Sequence, residues 1–364
     1  MILCANPSAQ FLNYQSEIES AILSVVRSNS YILGKEVSML EKEFSEFIGS
    51  KYSVGVANGT DAIELALRAL NIGLGDEVIT VSHTAVATIS AIEATGAEAV
   101  LVDVDPDTYT LNHHQLDEVY SKKTKAIIAV HLYGHSADMD SISDFCSRFN
   151  LFLIEDASQA HGAKYKGERL GNIGDIGCFS CYPTKNLGAI GDAGLITTNS
   201  FNISKKIRML REYGWKNRIS EIPGRNSRLD ELQAAILRVK LKYLDDDNQK
   251  RIDIANLYLN ELADLPIKMP SLDSSINSVF HLFVIQAKDR DKIIEYLKKN
   301  SIQAGIHYPV PVHLQKAYKG IVKTSKDMGC SENLAKNIIS LPIYPQLENY
   351  EVKKIIDVLR NFFN

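Results

Sequence analysis

The sequence lacks several features that would define its class at once. It has no apolar run close to the about 18 residues of a membrane span, and its first residues show no basic stretch before an apolar core, so we expect neither a membrane anchor nor a signal peptide. Its 40 lysines and arginines do not exceed its 44 aspartates and glutamates, which gives no basic surplus for binding nucleic acid. Its five cysteines are odd in number and scattered. This pattern favours the reducing cytoplasm over a disulfide framework.

From about residue 52, short apolar stretches alternate with amphipathic ones. The stretches YSVGVA, DEVITV, AEAVLVDV, KAIIAV and LFLIED predict strands, and TDAIELALRAL, AVATISAIEATG and DSISDFCSRF predict helices between them. Strands that are nearly continuous in apolar residues are typical of parallel sheets covered on both faces. We therefore predict an α/β fold with a mostly parallel, mixed central sheet flanked by helices. IGCFSC and GLITTN are two further strand candidates.

The character of the sequence changes in its last third. A helix is predicted from about Leu229, with Ser227 as its cap and Asp230 in its first turn. After LPIKMP, strands at VFHLFVIQ and near SIQAGIH alternate with helices at DRDKIIEYLKK and ENYEVKKIIDVLRNFF. We predict a large α/β domain with an N-terminal helical segment at residues 1–245, and a smaller α+β domain at residues 246–364.

Three short patterns resemble metal sites, but each is incomplete. They are Cys178 and Cys181, His131 and His135 in HLYGH, and Asp103, Asp105 and Asp107 in DVDPDTYT. The cysteine pair has no second pair to complete four zinc ligands, and HLYGH follows a strand and lacks the glutamate of a zinc protease helix. The aspartates lack the glycine and distal glutamate of a calcium loop. We predict no metal, although the aspartates keep a metal-dependent sugar transferase open as an alternative.

Three other features together match the needs of one cofactor. Gly59 and Thr60 in NGTDA stand between a strand and a helix, where free backbone N–H groups bind anions. Asp156 ends the strand LFLIED, and Lys185 lies in the glycine-rich stretch CYPTKNLGAIGDAG. A buried lysine becomes a nucleophile because burial lowers its pKa. A phosphate cradle, a carboxylate and such a lysine are what pyridoxal phosphate (PLP) requires.

The chain resembles the DegT/DnrJ/EryC1/StrS family of sugar aminotransferases, which share the aspartate aminotransferase fold (type I). The resemblance rests on seven motifs in order along nearly the whole chain: NGTDAI, GDEVIT, LVDVDPDTYT, VHLYG, EDASQAHGA, GDIGCFSCYPTKNLGAIGDAG and NSRLDELQAAIL. One such motif alone would be weak evidence. Their order along the chain makes the resemblance specific.

The resemblance implies a role for each residue near the cofactor. Lys185 would bind PLP covalently and move the proton during transamination. Asp156 would pair with the pyridinium nitrogen, and Gln159 would lie near the 3′-oxygen. The phosphate would be held by Gly59, Thr60 and Ser180.

The resemblance also implies roles at the edge of the site. Asn226 would reach the phosphate from a second subunit, which makes a homodimer with shared active sites the expected unit. Tyr182, Tyr308 and His313 stand where family members face the sugar nucleotide. Many relatives carry an aromatic residue where this chain has Ala85. The face of the pyridine ring would then pack either on His83 or on aliphatic groups.

The implied reaction moves an amino group from glutamate, which leaves as 2-oxoglutarate, to a nucleotide-linked keto-deoxy sugar. GWKNR followed by NSRLDELQAAILRVKL most resembles enzymes that aminate C3 of a dTDP-3-keto-6-deoxyhexose, and amination at C4 is the alternative. The presence of Lys185 argues against the dehydratase branch, which has histidine there. With Asp156 and the phosphate loop, it also argues against a non-catalytic regulatory relative. The product would feed polysaccharide or glycan synthesis.

Overall fold

The computed structural model describes residues 1–271 and 275–364. Its strands of four or more residues follow apolar stretches of the sequence, whereas the two-residue strands do not. The strands are β1 Tyr52–Val56, β2 Glu77–Val81, β3 Glu98–Val102, β4 Thr124–Val130, β5 Phe152–Asp156, β6 Lys164–Tyr165, β7 Glu168–Arg169, β8 Ile176–Ser180, β9 Gly194–Thr198, β10 Trp215–Lys216, β11 Ile219–Ser220, β12 Ile276–Asn277, β13 Phe283–Gln286, β14 Lys323–Thr324 and β15 Ile338–Leu341.

The helices cover both faces of the sheet and build the C-terminal part. They are α1 Pro7–Asn13, α2 Gln15–Ser28, α3 Lys35–Ile48, α4 Gly59–Ala69, α5 Val86–Ala94, α6 Leu116–Val119, α7 Met139–Phe149, α8 Phe201–Leu210, α9 Glu231–Leu241, α10 Leu244–Glu261, α11 Arg290–Lys299, α12 Gly329–Asn337 and α13 Asn349–Phe363. Among the described residues, none of these helices is long and apolar enough to cross a membrane.

The largest sheet in the described part of the chain has eight strands in the order β1-β9-β8-β5-β4-β2-β3-β14. The neighbours from β8 to β14 pair in parallel, whereas β9 is antiparallel to both β8 and β1. The predicted α/β class with a mostly parallel, mixed sheet is confirmed. In the parallel register Val130 faces Asp156, and Asp156 faces Cys178. The carboxyl ends of three strands therefore lie side by side, where open α/β sheets bind ligands.

Among the described residues, two large hydrophobic cores and one small cluster, around Tyr14 and Ile236, stabilise the fold. The larger core packs the central sheet against its helices, and it includes Val312, Leu334 and Ile338 from the C-terminal part. The smaller core packs α10, α11 and α13 against β13 and β15, and it includes Ile2 from the opposite end. Both cores thus draw on residues on each side of position 245. The division at that residue stays a prediction.

Three local predictions in the last third were wrong. The Ser227 hydroxyl accepts the N–H of Ala57, and Asp230 is the residue that precedes α9. SIQAGIH forms no continuous strand and makes single bridges at Ile302 and Gly305. The strand that pairs with β13 is instead β15, which directly follows α12.

Candidate active site

A cavity of ≈ 860 Å³ opens where the carboxyl ends of β5 and β8 meet the N-terminus of α4. The other side of the cavity is formed by His281, Leu282, His307 and Tyr308 from the C-terminal part. The site residues predicted from the sequence that line it are Gly59, Thr60, Asp156, Gln159, Ser180, Tyr182, Lys185 and Tyr308. Residues up to 249 positions apart in the sequence (59 to 308) therefore share one pocket.

The N-terminus of α4 points a set of backbone N–H groups into this cavity. Asn58 caps the helix, since its Oδ1 accepts the N–H of Asp61 at 2.8 Å, and the first N–H groups of a helix have no intrahelical acceptor. A Cβ added to Gly59 would lie 2.5 Å from the Cβ of Ser180. Only glycine allows the helix to start this close to β8, which brings the Ser180 hydroxyl to the helix dipole. The arrangement can hold a phosphate.

Asp156 ends β5, is buried, and lines the cavity. Its Oδ2 accepts a hydrogen bond from Thr88 Oγ1 at 2.9 Å, and its Oδ1 accepts one from the N–H of Ser158 at 3.2 Å. Both contacts hold the carboxylate in position, and both donors are uncharged. The carboxylate can therefore pair with a protonated nitrogen of a bound ring.

Lys185 is held in a tight turn beside the cavity. Its N–H donates to the carbonyl of Tyr182 at 2.8 Å, and a Cβ on Gly188 would lie 2.4 Å from the carbonyl oxygen of Pro183. Loss of hydration lowers the pKa of the Lys185 ammonium to about 8, although the carboxylate of Asp156 acts in the opposite direction. The amine is thus available as a nucleophile near neutral pH.

Gln159 connects the cavity to a buried aromatic group. Its Oε1 accepts the N–H of Tyr133 at 2.7 Å, and its Nε2 donates to the hydroxyl of Tyr308 at 3.1 Å. The Tyr133 hydroxyl in turn lies 2.7 Å from His83 Nε2. His83 is fully buried, and burial lowers its pKa to about 4, whereas Ala85 lines the cavity.

Two predicted site residues lie elsewhere in the described chain. Asn226 is exposed and bridges to Glu212, outside the lining of the cavity. His313 is buried, with its Nδ1 2.6 Å from Ser82 Oγ and its Nε2 3.4 Å from Glu332. Within one chain, neither residue touches the site.

The candidate metal patterns serve the fold instead. Among residues 1–271 and 275–364 no cluster of histidine, cysteine and acidic side chains could hold a metal. Cys178 and Cys181 are buried, and burial raises the pKa of both thiols. Asp103 accepts the N–H groups of Cys330 and Ser331 at 2.8 Å each, and so caps α12.

Asp105, from the same aspartate pattern, and His131 also make local contacts. Asp105 accepts the N–H of Asp107 at 2.9 Å and closes the turn after β3. His131 lies 3.0 Å from the buried Glu155 and accepts the N–H of Ala137 at 3.2 Å. The prediction of turn and strand-end roles for these residues agrees with the geometry.

The sequence patterns did not identify His281 and His307 as site residues. His281 and His307 line the pocket beside Lys185, whose charge contributes to lowering the pKa of both. His281 precedes an apolar strand, and this position in the sequence is typical of a residue in the hydrophobic core. The sequence offers one indication for His307, which directly precedes Tyr308, a predicted site residue.

A lysine nucleophile, a strand-end carboxylate and a helix N-terminus that converge at the carboxyl ends of a mostly parallel sheet define a PLP-dependent transferase of fold type I. The family model for the DegT/DnrJ/EryC1/StrS aminotransferase family matches residues 13–360, and the chain belongs to this family. Related structures have been solved with PLP or its amine form bound. The chain is accordingly a PLP-dependent aminotransferase.

Individual relatives match over nearly their whole length. A dTDP-3-amino-3,6-dideoxy-α-D-galactopyranose transaminase from Aneurinibacillus thermoaerophilus is 46% identical over 352 residues, 96% of each chain. A dTDP-3-amino-3,4,6-trideoxy-α-D-glucose transaminase from Streptomyces venezuelae is 42% identical, with 97% of this chain and 94% of that one covered. The crystal structure of S. venezuelae DesV with a ketimine intermediate superposes with a TM-score of 0.97 at 40% identity, covering 100% and 98% of the two chains.

Proposed function

We propose that this aminotransferase transfers an amino group from glutamate to C3 of a dTDP-linked 3-keto-6-deoxyhexose. The convergence of Lys185, Asp156 and the N-terminus of α4 in one cavity carries the transaminase chemistry. The position of amination is supported by relatives at 46% and 42% identity, both of which are named for sugars with an amine at C3. Amination at C4 is not favoured by these relatives.

The residues present fit the cofactor. The N–H groups of Gly59 and Thr60 and the hydroxyl of Ser180 would hold its phosphate, since the missing side chain of Gly59 leaves the cradle open. Asp156 would keep a proton on the ring nitrogen, and Gln159 would lie at the 3′-oxygen. When bound, PLP supplies an electron sink and carries the amino group between the two substrates.

The face of the ring would pack on aliphatic groups rather than on an aromatic one. Ala85 lines the cavity together with Thr84 and Ala87, whereas His83 is fully buried and engaged with Tyr133. Of the two possibilities left by the sequence, this geometry supports packing on Ala85.

Lys185 would act as the base that moves the proton between the reacting carbons. Its amine is uncharged above the lowered pKa, and Asp156 balances the charge when it takes up the proton. Lys185 lines the cavity, so its amine can reach a substrate that is bound there.

A second subunit would complete the site. Asn226 lies on the exposed surface and outside its own cavity, as expected for a residue that reaches the phosphate of a partner. Tyr182, which is 53% exposed and lines the cavity, and Tyr308 would contact the sugar nucleotide. His313 is buried with its Nδ1 2.6 Å from Ser82 Oγ and lies outside the cavity lining, so its predicted contact with the sugar nucleotide has no support within one chain.

The function is tested with a panel of dTDP-, UDP- and GDP-linked keto sugars and glutamate as donor. We expect amination of the dTDP-3-keto-6-deoxyhexose, with 2-oxoglutarate as co-product, and NMR should place the new amine on C3. An amine on C4, or a preference for a UDP or GDP sugar, would contradict the proposal.

The lowered pKa of Lys185 predicts how cofactor attachment depends on pH. The neutral amine is the nucleophile, so the rate of PLP uptake by the cofactor-free protein should rise with pH and level off above the pKa of about 8. Because Asp156 raises this pKa, Asp156→Asn should move the midpoint to lower pH. Absorbance of the bound cofactor after rapid mixing measures the rate of PLP uptake in the wild type and in the variant. A wild-type midpoint near the ordinary lysine value, about 10, would contradict the prediction.

A further inference from the structure

His281 lies in the wall of the active-site cavity, two residues before β13, and takes no part in the roles of Lys185, Asp156 and the N-terminus of α4. The side chain is 7% exposed. Its Nδ1 lies 3.2 Å from Oδ1 of Asn186, the residue that follows Lys185. What the other ring nitrogen offers to a substrate depends on where the imidazole carries its proton.

A chain of amides fixes that proton. The carbonyl of His161 can only accept, so Asn248 donates to it through Nδ2 at 2.8 Å and presents Oδ1 on its other side. Asn186 Nδ2 donates to Asn248 Oδ1 at 2.8 Å and to the carbonyl of Val279 at 3.1 Å. Its Oδ1 must then accept, and the donor is Nδ1–H of His281. In the neutral ring Nε2 therefore carries a free lone pair.

The ring is held in its neutral form by its surroundings. Burial lowers the pKa of His281 well below its usual value, and the nearby charges of Lys185 and Arg251 add to this effect, as do His307 and His161. Nε2 has no hydrogen-bond partner among residues 1–271 and 275–364. Nε2 keeps accessible surface in a residue that lines the cavity, so a hydrogen-bond donor on a bound ligand can reach its lone pair.

We propose that His281 is a specificity-determining residue whose Nε2 accepts a hydrogen bond from a sugar hydroxyl next to the carbon that is aminated. This inference rests on the proposed function and deepens it. A lone pair on a neutral ring accepts from sugar hydroxyl groups, whereas carboxylates and a diphosphate offer it no proton. In glutamate the amino group could donate, but it is the group that is transferred, which leaves only carboxylates for lasting contacts. His281 would thus act on the acceptor sugar and not on the amino donor.

The two relatives compared above are named for sugars that differ at this kind of position. A 3-amino-3,6-dideoxyhexose keeps a hydroxyl at C4, and a 3-amino-3,4,6-trideoxyhexose lacks it, while both keep one at C2. A site that accepts a hydrogen bond from a substrate hydroxyl discriminates against the analogue that lacks this hydroxyl, because the acceptor is then left without its partner. These two dTDP-linked amino sugars are therefore suitable binding probes.

Two substitutions separate the cavity acceptor from the bond to Asn186. In His281→Asn the amide stands near the position of Nδ1, so it keeps the bond to Asn186 and removes the acceptor. In His281→Gln the longer side chain places its amide near Nε2, so it restores an acceptor and gives up that bond. The exposed His114 offers a matched control, His114→Phe.

Titration calorimetry on the PLP-loaded protein measures affinity for each amino sugar, and stopped-flow absorbance follows the glutamate half-reaction separately. We expect His281→Asn to weaken binding of the amino sugar, and to lower kcat/KM for the keto sugar, by about 10–100-fold. His281→Gln and His114→Phe should stay within about fivefold, and the glutamate half-reaction within about threefold in all three. A loss only with the C4-hydroxyl sugar would assign the contact to C4, and an equal loss with both sugars to C2.

Three results would overturn the inference: wild-type affinity in His281→Asn, a larger loss in His281→Gln than in His281→Asn, or an equal loss in the glutamate half-reaction. The second and third would show that His281 only positions the turn of Lys185. If the wild type aminated none of the keto sugars, the proposed function itself would fail and this inference with it. An active wild type with an unaffected His281→Asn removes the inference alone.

Discussion

Lys185→Ala should abolish sugar amination, with a loss of at least roughly 10⁴-fold, because it removes both the nucleophile and the proton-transfer group. Reduction of the wild type with borohydride should fix the cofactor on Lys185, and peptide mapping should find no such label in the variant. The lysine is the group whose pKa burial lowers to about 8 beside Asp156. Mass spectrometry of the sugar product measures amination, and mass spectrometry of the peptides locates the label.

Two further variants make this result specific. Lys185→Arg keeps a cation but not a nucleophilic amine, and it should be as inactive as the alanine variant. Lys166→Ala removes an exposed lysine that pairs with Asp140 at the surface, and its rate should stay within about twofold. Label on any other lysine, or amination by Lys185→Ala protein, would refute the assignment.

Substitutions of two neighbouring carboxylates should affect different properties, namely stability for Glu155 and activity for Asp156. Glu155 and Asp156 are consecutive on β5, so their side chains point to opposite faces of the sheet. Glu155 is fully buried and accepts the N–H groups of Gly171, Ile173 and Gly174 at 2.7–2.8 Å as well as His131 Nε2 at 3.0 Å. Asp156 faces the cavity.

Glu155→Gln should therefore lower the free energy of unfolding by roughly 3–5 kcal/mol, because its amide turns N–H groups toward backbone donors and leaves a buried network unpaired. Asp156→Asn should change this free energy by less than about 1 kcal/mol but slow amination by roughly 10²–10³-fold, since the ring nitrogen loses its counter-charge. Urea unfolding and steady-state rates measure the two effects. Equal stability losses in both variants would contradict the separation.

The sheet was predictable because its strands are short apolar blocks separated by helices with clear periodicity. The site followed where a residue type marked the chemistry, as with Asp156 and Lys185. His281 was missed because its meaning depends on Asn186, Asn248 and His161, whose contacts form only after folding. A histidine before an apolar strand looks the same whether it fills a core or lines a pocket.

The errors after residue 226 have two different causes. Ser227 has the side chain of a helix cap, but a strand-end N–H far away in the sequence, that of Ala57, claims its hydroxyl. β15 was missed because its apolar residues follow α12 without a turn signal. At Ser227 a partner distant in sequence overruled the local propensity, whereas at β15 the local signal for the boundary was absent.

The β14 strand has a consequence for any attempt to dissect the molecule. Lys323 and Thr324 pair with Val100 and Leu101 at the edge of the main sheet, and the Lys323 ammonium contacts Glu77 and Glu98 at 2.6 Å. Ile2 pairs with Ile302 at the other end of the chain. A fragment cut near residue 245 would bare a sheet edge and aggregate by pairing with its copies. Residues from both sides of position 245 share one sheet and one core, so a chimera between relatives would have to exchange both ends of the chain together.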